Sequence, residues 1–587
     1  MLPQFALTFG LALTAQVSTA TTTWTPEGDA PAGDPPMPAL VAPATDETET
    51  PAIEPAGEPE GVTPDAGAEP APQPAPEDEP LTVEPDDYFQ FSDLVDTRVT
   101  FAISNVNLFA GPGERTSQTS GYRIGVDPNL NLFLENVNTR FSGYESLSHL
   151  VLYKKMPAFW KYWETEAALA ALVLADTQSG QFRFFDSGTY LRIIRKLGEG
   201  DERDTGSFDL TAWPVAADRY RLGYTFLISW GGTAVFPGKL QSSSITEGAV
   251  PGMRLRYTAP KGKAYAHIGF KSALLLNREP GVRAGEQVPN YGILGGGGID
   301  LLDNFVLEAN GGFFQKGTQE RPGVEGRKIN AYGGSAKLTF FTGKKPSGSA
   351  DFRLYRNDPQ NPANYNLFKG FRTGRAFSVS LEGNVLGQNL EDPDRFGSER
   401  LVTAVAAGLV GQARMDQLWF RVDAFYQSAD FILFNVPGFV PFQATPSQST
   451  TSAEIFAAGT IGYDFPDWHF QPKLAVGIRI PATYKGAVLP EQGNIGGANA
   501  GDLRTQLIVD ETTRIVLPPN TNPTPIVGAF LHLPVALSKT LAVAGQVRVE
   551  LDDNQPRIAQ DNERGEVTYI FDDPLRIALT LYLQSRF

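Results

Sequence analysis

Cysteine is absent from all 587 residues, which excludes a disulfide framework, a thiolate metal centre and a thiol nucleophile together. Also missing is any apolar run near the roughly 20 residues that a membrane-crossing helix needs. Yet 41% of the residues are hydrophobic, so the apolar side chains must be spread thinly. Histidine is scarce. His149, His267, His469 and His532 are scattered without a second ligand at short spacing, and a metal centre is not expected. No Gly-x-Ser-x-Gly elbow occurs, and no other catalytic constellation is recognisable, so an enzyme is not expected and no cofactor is implied. Basic residues are missing from one region only, since no Lys or Arg precedes Arg98.

That region carries the charge. Seventeen of the 66 acids lie between Glu27 and Asp87, and the 49 that remain match the 49 Lys and Arg. The formal net charge of -17 therefore belongs to the segment, and the rest of the chain is neutral. Such a balance offers no basic footprint for nucleic acid. Residues 21–87 are rich in Pro, Ala and Glu, as in Ala68-Glu69-Pro70-Ala71-Pro72-Gln73-Pro74, and bury too little to offset their ordering entropy. A disordered tail is expected, with a reach on the order of 190 Å when extended at about 3.1 Å per residue. Ahead of it, Phe5 to Leu13 is apolar and is followed by Ser18-Thr19-Ala20, so residues 1–20 read as a signal peptide.

From Asp96 onward the pattern has a period of two, with turn residues between the segments. The clearest strands are Tyr220 to Ile228, Met253 to Tyr257, Phe377 to Val385, Leu418 to Tyr426, Leu474 to Ile480, Leu541 to Leu551 and Leu575 to Phe587. Weaker ones start near Val99, His149, Thr165, Leu191, Ser207, Lys263, Tyr291, Phe305, Ile329, Leu401, Ala453 and Ile526. Thr165 to Ala175 would also make a passable helix. Tight joints near Ala217-Asp218, Met415-Asp416, Pro466-Asp467 and Ser538-Lys539 alternate with long polar stretches. Trp419 and Trp468 beside tight turns suit an interfacial aromatic girdle.

The last strand places Leu575, Ile577, Leu579, Leu581, Leu583 and Phe587 on one face and Arg576, Tyr582, Gln584 and Arg586 on the other. It resembles the closing strand of a bacterial outer-membrane β-barrel, with Ser585 where that family places an apolar residue. The resemblance implies that Leu579, Leu581, Leu583 and Phe587 form the signal read by the barrel-assembly machinery. It implies an all-β chain, a transmembrane antiparallel barrel, and the count of candidate strands and joints sets its size at about 18 strands, within 16 to 20. The barrel would occupy residues 88–587, with 97–147 either a first strand plus an outer loop or a partial plug. Its place would be the outer membrane among outer-membrane lipid, with the tail in the periplasm.

The apolar phase sets Arg192, Arg219, Arg221, Arg254, Arg256, Arg421, Arg479, Arg548 and Arg576 on the inner face, against Glu382, Asp423 and Glu550. Two meanings stay open: a cationic lumen that favours anions, or arginines paired with acids that hold the interior together. Gly295-Gly296-Gly297-Gly298 lacks the Lys-Ser/Thr of a phosphate loop and reads as a place of close approach. The expected function is a water-filled, porin-like channel. The alternative is an envelope scaffold or export-complex barrel whose acidic tail recruits a periplasmic protein or peptidoglycan.

Overall fold

The computed structural model describes residues 96–105, 145–176, 181–186, 189–200, 202–215, 217, 220, 223, 226, 250–276, 287–319, 322–343, 374–434, 444–447, 449–486, 504–508, 514–538, 540–560 and 567–586. The expected signal peptide and tail, the stretch 106–144, and Arg219, Arg221 and Phe587 lie outside them.

Nearly all of the described chain is strand. In order these are β1 (Asp96–Asn105), β2 (Glu145–Pro157), β3 (Trp163–Asp176), β4 (Gln181–Asp186), β5 (Tyr190–Lys196), β6 (Ser207–Trp213), β7 (Gly252–Thr258), β8 (Ala264–Leu276) and β9 (Gln287–Leu302). They continue as β10 (Phe305–Thr318), β11 (Lys328–Thr342), β12 (Arg375–Glu391), β13 (Glu399–Met415), β14 (Leu418–Gln427), β15 (Thr450–Ser452), β16 (Glu454–Tyr463), β17 (Lys473–Ile480) and β18 (Ala482–Lys485). The last are β19 (Thr505–Ile508), β20 (Arg514–Val516), β21 (Ile526–Ala536), β22 (Leu541–Leu551), β23 (Pro556–Gln560), β24 (Val567–Phe571) and β25 (Leu575–Arg586).

Nineteen of them form one antiparallel sheet. β4 and β5 share one place in it, because β4 pairs with Ala171–Asp176 of β3 and β5 with Trp163–Ala168. The ladder thus has 18 places, inside the expected range. It also returns to its start, since β1 pairs with β2 on one side and with β25 on the other, from Arg98↔Arg586 to Asn105↔Leu579. A sheet whose edges pair leaves no unpaired backbone row for lipid to desolvate, which is the condition for crossing a bilayer with strands. Thr165 to Ala175 is strand and not helix, because it supplies the middle of that ladder between β2 and β5.

Parity gives the two ends different characters. At the end where β1 starts and β25 finishes, the connections are 158–162, 197–206, 259–263, 303–304, 416–417, 464–472 and 537–540, with 343–374 as the long exception. The far end carries most of the long ones, and there β15, β18, β19 and β20 make a small sheet of their own. Of the expected joints, Met415-Asp416 is a two-residue turn with Asp416 at φ 54, and Pro466-Asp467 is a 3-10 turn. Ala217-Asp218 is not such a joint. β6 pairs directly with β7, so the ladder has no place for the expected strand Tyr220 to Ile228.

The faces are inverted relative to a soluble protein. Leu191, Ile193, Leu255, Ile268, Leu381, Val422, Ile455, Val476, Leu579, Leu581 and Leu583 point outward and are exposed, while charged groups alternate with them on the inner side. Aromatic residues border this outer band in two rows. Phe305, Phe340 and Phe377 neighbour one another near the terminal end, and Phe313–Tyr332 and Phe270–Tyr291 pair toward the far end. Phe305 and Phe313 are eight residues apart on β10. At about 3.3 Å per residue and a tilt near 40°, that is roughly 20 Å of height, close to the apolar thickness of a barrel in lipid. Trp419 does not join these rows. It lies on the inner phase across Gly462, where an added Cβ would meet its ring.

Candidate lumen constriction

The residues that leave the ladder after β6 enter the interior. Ala217 still follows the sheet, with its N–H donating to the Val250 carbonyl at 2.8 Å. Tyr220 is buried and stacks on Trp213 of β6, with ring centroids 5.7 Å apart. Its hydroxyl donates to the Leu294 carbonyl of β9 at 2.9 Å and lies 3.2 Å from His267 Nδ1 of β8. Three residues on, the Gly223 N–H donates to Asn310 Oδ1 of β10 at 3.0 Å. Phe226 then meets Phe425 of β14 and Phe431 of the short helix Ala429–Phe434 edge to face, at 5.8 and 5.6 Å. β6 and β14 stand eight places apart in the ring of 18, so this segment crosses the lumen.

Glycines make the crossing possible. Gly223 has φ +80, and a Cβ there would lie 1.9 Å from the Phe226 carbonyl oxygen, so no other residue fits that turn. On the wall, a Cβ at Gly269 would lie 2.3 Å from the Tyr220 ring, and one at Gly296 would lie 2.4 Å from Asn310 Cβ. The run Gly295–Gly298 is therefore a place of close approach. Across Gly298, Tyr265 of β8 reaches over β9 to donate to Glu308 of β10 at 2.5 Å. The sequence offered the right alternation for Tyr220 to Ile228, but a period of two records only that alternate residues are buried. It does not say whether lipid or the opposite wall buries them.

Charged groups line the wall below and beside the crossing, and neighbouring strands bridge through them. Glu166 of β3 accepts from the Tyr190 hydroxyl at 2.5 Å and from Arg192 of β5 at 3.3 Å. Arg192 also reaches Asp209 of β6 at 3.1 Å, and Arg254 of β7 lies 3.6 Å from the same carboxylate. Arg254 sits over the rings of Trp213 and Tyr220, at 5.5 and 5.9 Å. Arg256 is opposite Asp209 in the register and lies over Tyr265. Farther round, Lys337 meets Glu308 at 4.0 Å. Arg421 grips Asp423 with two nitrogens, at 2.7 and 2.8 Å. Arg479 donates to Glu454 at 2.7 Å, and Arg576 stands 3.8 Å from both Glu550 and Asp552. Arg548 lies over the Phe530 ring at 5.8 Å.

The structure thus brings Arg192, Arg254 and Arg256 together, sets Arg548 and Arg576 on the paired strands β22 and β25, and leaves Arg421 and Arg479 at other points of the wall. Sequence reasoning named Glu382, Asp423 and Glu550 as the inner acids and missed Glu166, Asp209, Glu308 and Glu454. The strand phases of Glu166 and Asp209 would have shown them, had the weaker segments been counted. On β6 to β8 the described inward charges are Asp209 against Arg254, Arg256 and Lys271, three cations to one acid, where β10 and β11 set Lys316 and Lys337 against Glu308. Elsewhere each inner guanidinium in an ion pair has a carboxylate of its own. Among the described residues no group of His, Asp or Glu is arranged to hold a metal ion, and no helix is long and apolar enough to cross a membrane. His267 and His532 bond to Tyr220 and Gln546.

The chain is a transmembrane β-barrel of the outer-membrane type. This follows from the paired edges, the outward apolar band between two aromatic rows and the charged interior. No family model matches the chain, and no curated protein does. Solved structures of similar architecture include the Escherichia coli outer-membrane protein Wzi, described as a carbohydrate-binding β-barrel, at 11% identity over 84% of this chain and 85% of that one, with a TM-score of 0.36. Pseudomonas aeruginosa OpdL aligns at 8% identity over 84% and 97%, with a TM-score of 0.37. Acinetobacter baumannii OccAB2 aligns at 8% over 85% and 99%, with a TM-score of 0.39. At those scores the barrel assignment rests on its own strand pairing.

Proposed function

We propose that this barrel is a porin-like passive channel of the bacterial outer membrane, narrowed by the segment from Ala217 to Phe226. The crossing segment carries the reading. A ring of 18 places is wide enough to leave an aqueous passage unless loops fill it. A strap across the middle, held by a few hydrogen bonds and aromatic contacts, sets the bore without closing the barrel to assembly. The short-turn end faces the periplasm, as barrels of this class place their short turns there, and the acidic tail follows on that side. Leu579, Leu581, Leu583 and Phe587 serve the barrel-assembly machinery, and the outer band contacts lipid.

A modest preference for anions belongs to the same proposal, but its source is narrower than a face of arginines. It comes from Arg254, Arg256 and Lys271 around Asp209, beside the crossing segment, since fixed charge acts on ions where the bore is confined. The paired arginines elsewhere contribute strength to the wall. Planar-bilayer recording tests the proposal: the wild-type protein should give small conductance steps, and Gly223→Val should enlarge them. Absence of steps in both folded proteins would discard the channel and leave the scaffold with its tail-recruited periplasmic partner.

A further inference from the structure

Two adjacent turns at the terminal end border an open cleft of about 480 Å³ that the channel reading does not use. One turn joins β2 to β3 and presents Phe159, fully exposed, and Trp160, 69% exposed. The other follows β5. The pair is a built feature: the Lys196 N–H donates to the Tyr162 carbonyl at 2.8 Å, and Lys161 bridges to Glu199 at 2.7 Å. Glu164 accepts from both Lys155 and Lys196 at 2.9 Å. Tyr162 is held at φ 69, a left-handed conformation that the surrounding bonds maintain. Trp160 and Trp163 stand edge to face at 6.0 Å inside this frame.

The chain itself supplies an occupant beside it. β1 begins at Asp96, opposite Tyr153 of β2, four residues before the strand end at Pro157 that leads into the aromatic turn. The nine residues from Asp96 back to Asp87 can span up to about 30 Å, so what precedes them is tethered within reach. Asp78–Asp87 reads Asp-Glu-Pro-Leu-Thr-Val-Glu-Pro-Asp-Asp, with five acids and no base. Extended, it sets Leu81, Val83 and Pro85 on one edge and Thr82, Glu84 and Asp86 on the other. Over 153–164 and 195–200 five cations face two acids, Glu164 and Glu199. An extended segment laid against such a surface puts alternate side chains of one edge into it, which is how extended peptides are recognised.

We propose that Asp78–Asp87 docks along this groove, with Leu81, Val83 and Pro85 against Trp160 and Trp163 and the acids toward Lys155 and Lys161. The contact fixes the direction in which the acidic tail leaves the barrel.

Absence of cysteine makes the test clean. Full-length protein carrying Val83→Cys and Ala158→Cys is oxidised with copper phenanthroline at high dilution and compared with Val83→Cys and Leu302→Cys, the latter on another turn of the same end. Heat-shifted mobility on gels confirms that every variant is folded. The Ala158 pair should close at least ten-fold faster, and adding Trp160→Ser should bring it down to the Leu302 rate. Equal rates for the two pairs overturn the docking, as does a rate that Trp160→Ser leaves unchanged. In vesicles of brominated lipid, if the share of tryptophan emission that Trp160→Ser removes is quenched as strongly in the full chain as after deletion of Asp78–Asp87, lipid fills the groove, and this also overturns the docking.

Discussion

The β6–β8 wall and the β14–β17 wall use the same residue types to opposite ends. On β14–β17, Arg421 and Asp423 neighbour each other along one strand, and Arg479 and Glu454 face each other on two, so each guanidinium is cancelled where it stands. On β6–β8, Asp209 serves Arg254 while also taking Arg192 from β5, with Arg256 and Lys271 nearby. Burying a charge is costly unless a partner restores what water supplied. The first wall meets that condition pair by pair. The second meets it by sharing, and it does so where aromatic rings and a docked segment exclude water. Paired charge holds neighbouring strands together, and the shared charge is what the proposed anion preference draws on.

The largest expected effect breaks this contrast at its centre. Asp209→Asn takes from Arg192 and Arg254 the carboxylate that both reach, Arg192 keeping Glu166, and should cost about 3–5 kcal/mol of stability, the usual result of stripping one partner from buried charges. Glu454→Gln takes a carboxylate from one guanidinium, that of Arg479, and keeps an amide oxygen for Gln427, so it should cost less. Urea unfolding in vesicles reads both, and an equal cost would show that sharing carries no special load. Second in size is Gly223→Val, which the φ of +80 and the 1.9 Å approach to Phe226 do not permit. The strap should detach and single-channel conductance rise several-fold, with the fold retained.

A smaller effect separates the walls electrically. Converting Arg254 and Arg256 together to Gln should shift the reversal potential in a salt gradient by some tens of millivolts toward cations, whereas Arg421 and Arg479 to Gln should shift it little. Identical shifts would erase the distinction. The smallest concerns neither wall. At the far end Asp394 is held below the usual carboxylate range, chiefly by the Ser447 N–H that donates to it at 2.9 Å, with Arg400 adding to this. A depressed folded value stabilises above the unfolded value near 3.8 and is lost as pH falls through the lower one. The protection of the Ser447 amide, its exchange relative to the intrinsic rate at each pH, should therefore be lower at pH 2.5 than at pH 5, with the contrast between the two walls unchanged.

Alternation alone located every strand of the ring but β4, which shares its place with β5, because each must show lipid an apolar side chain at every second residue, whatever its neighbours are. Leu579, Leu581 and Leu583 point outward for that reason, and the turn at Asp416 was legible from its residue types. The paired arginines and the crossing segment were not legible. Whether Arg192 is free or bound depends on Glu166 and Asp209, which lie 26 and 17 residues away and come into reach only through register. Tyr220 to Ile228 carries the same period as a lipid-facing strand, and only the direct pairing of β6 with β7 shows that its burial comes from inside. The sequence by itself determined which residues face away from water, since hydrophobic periodicity is local. Tertiary structure alone decided what meets across the lumen, since that depends on closing the ring of strands.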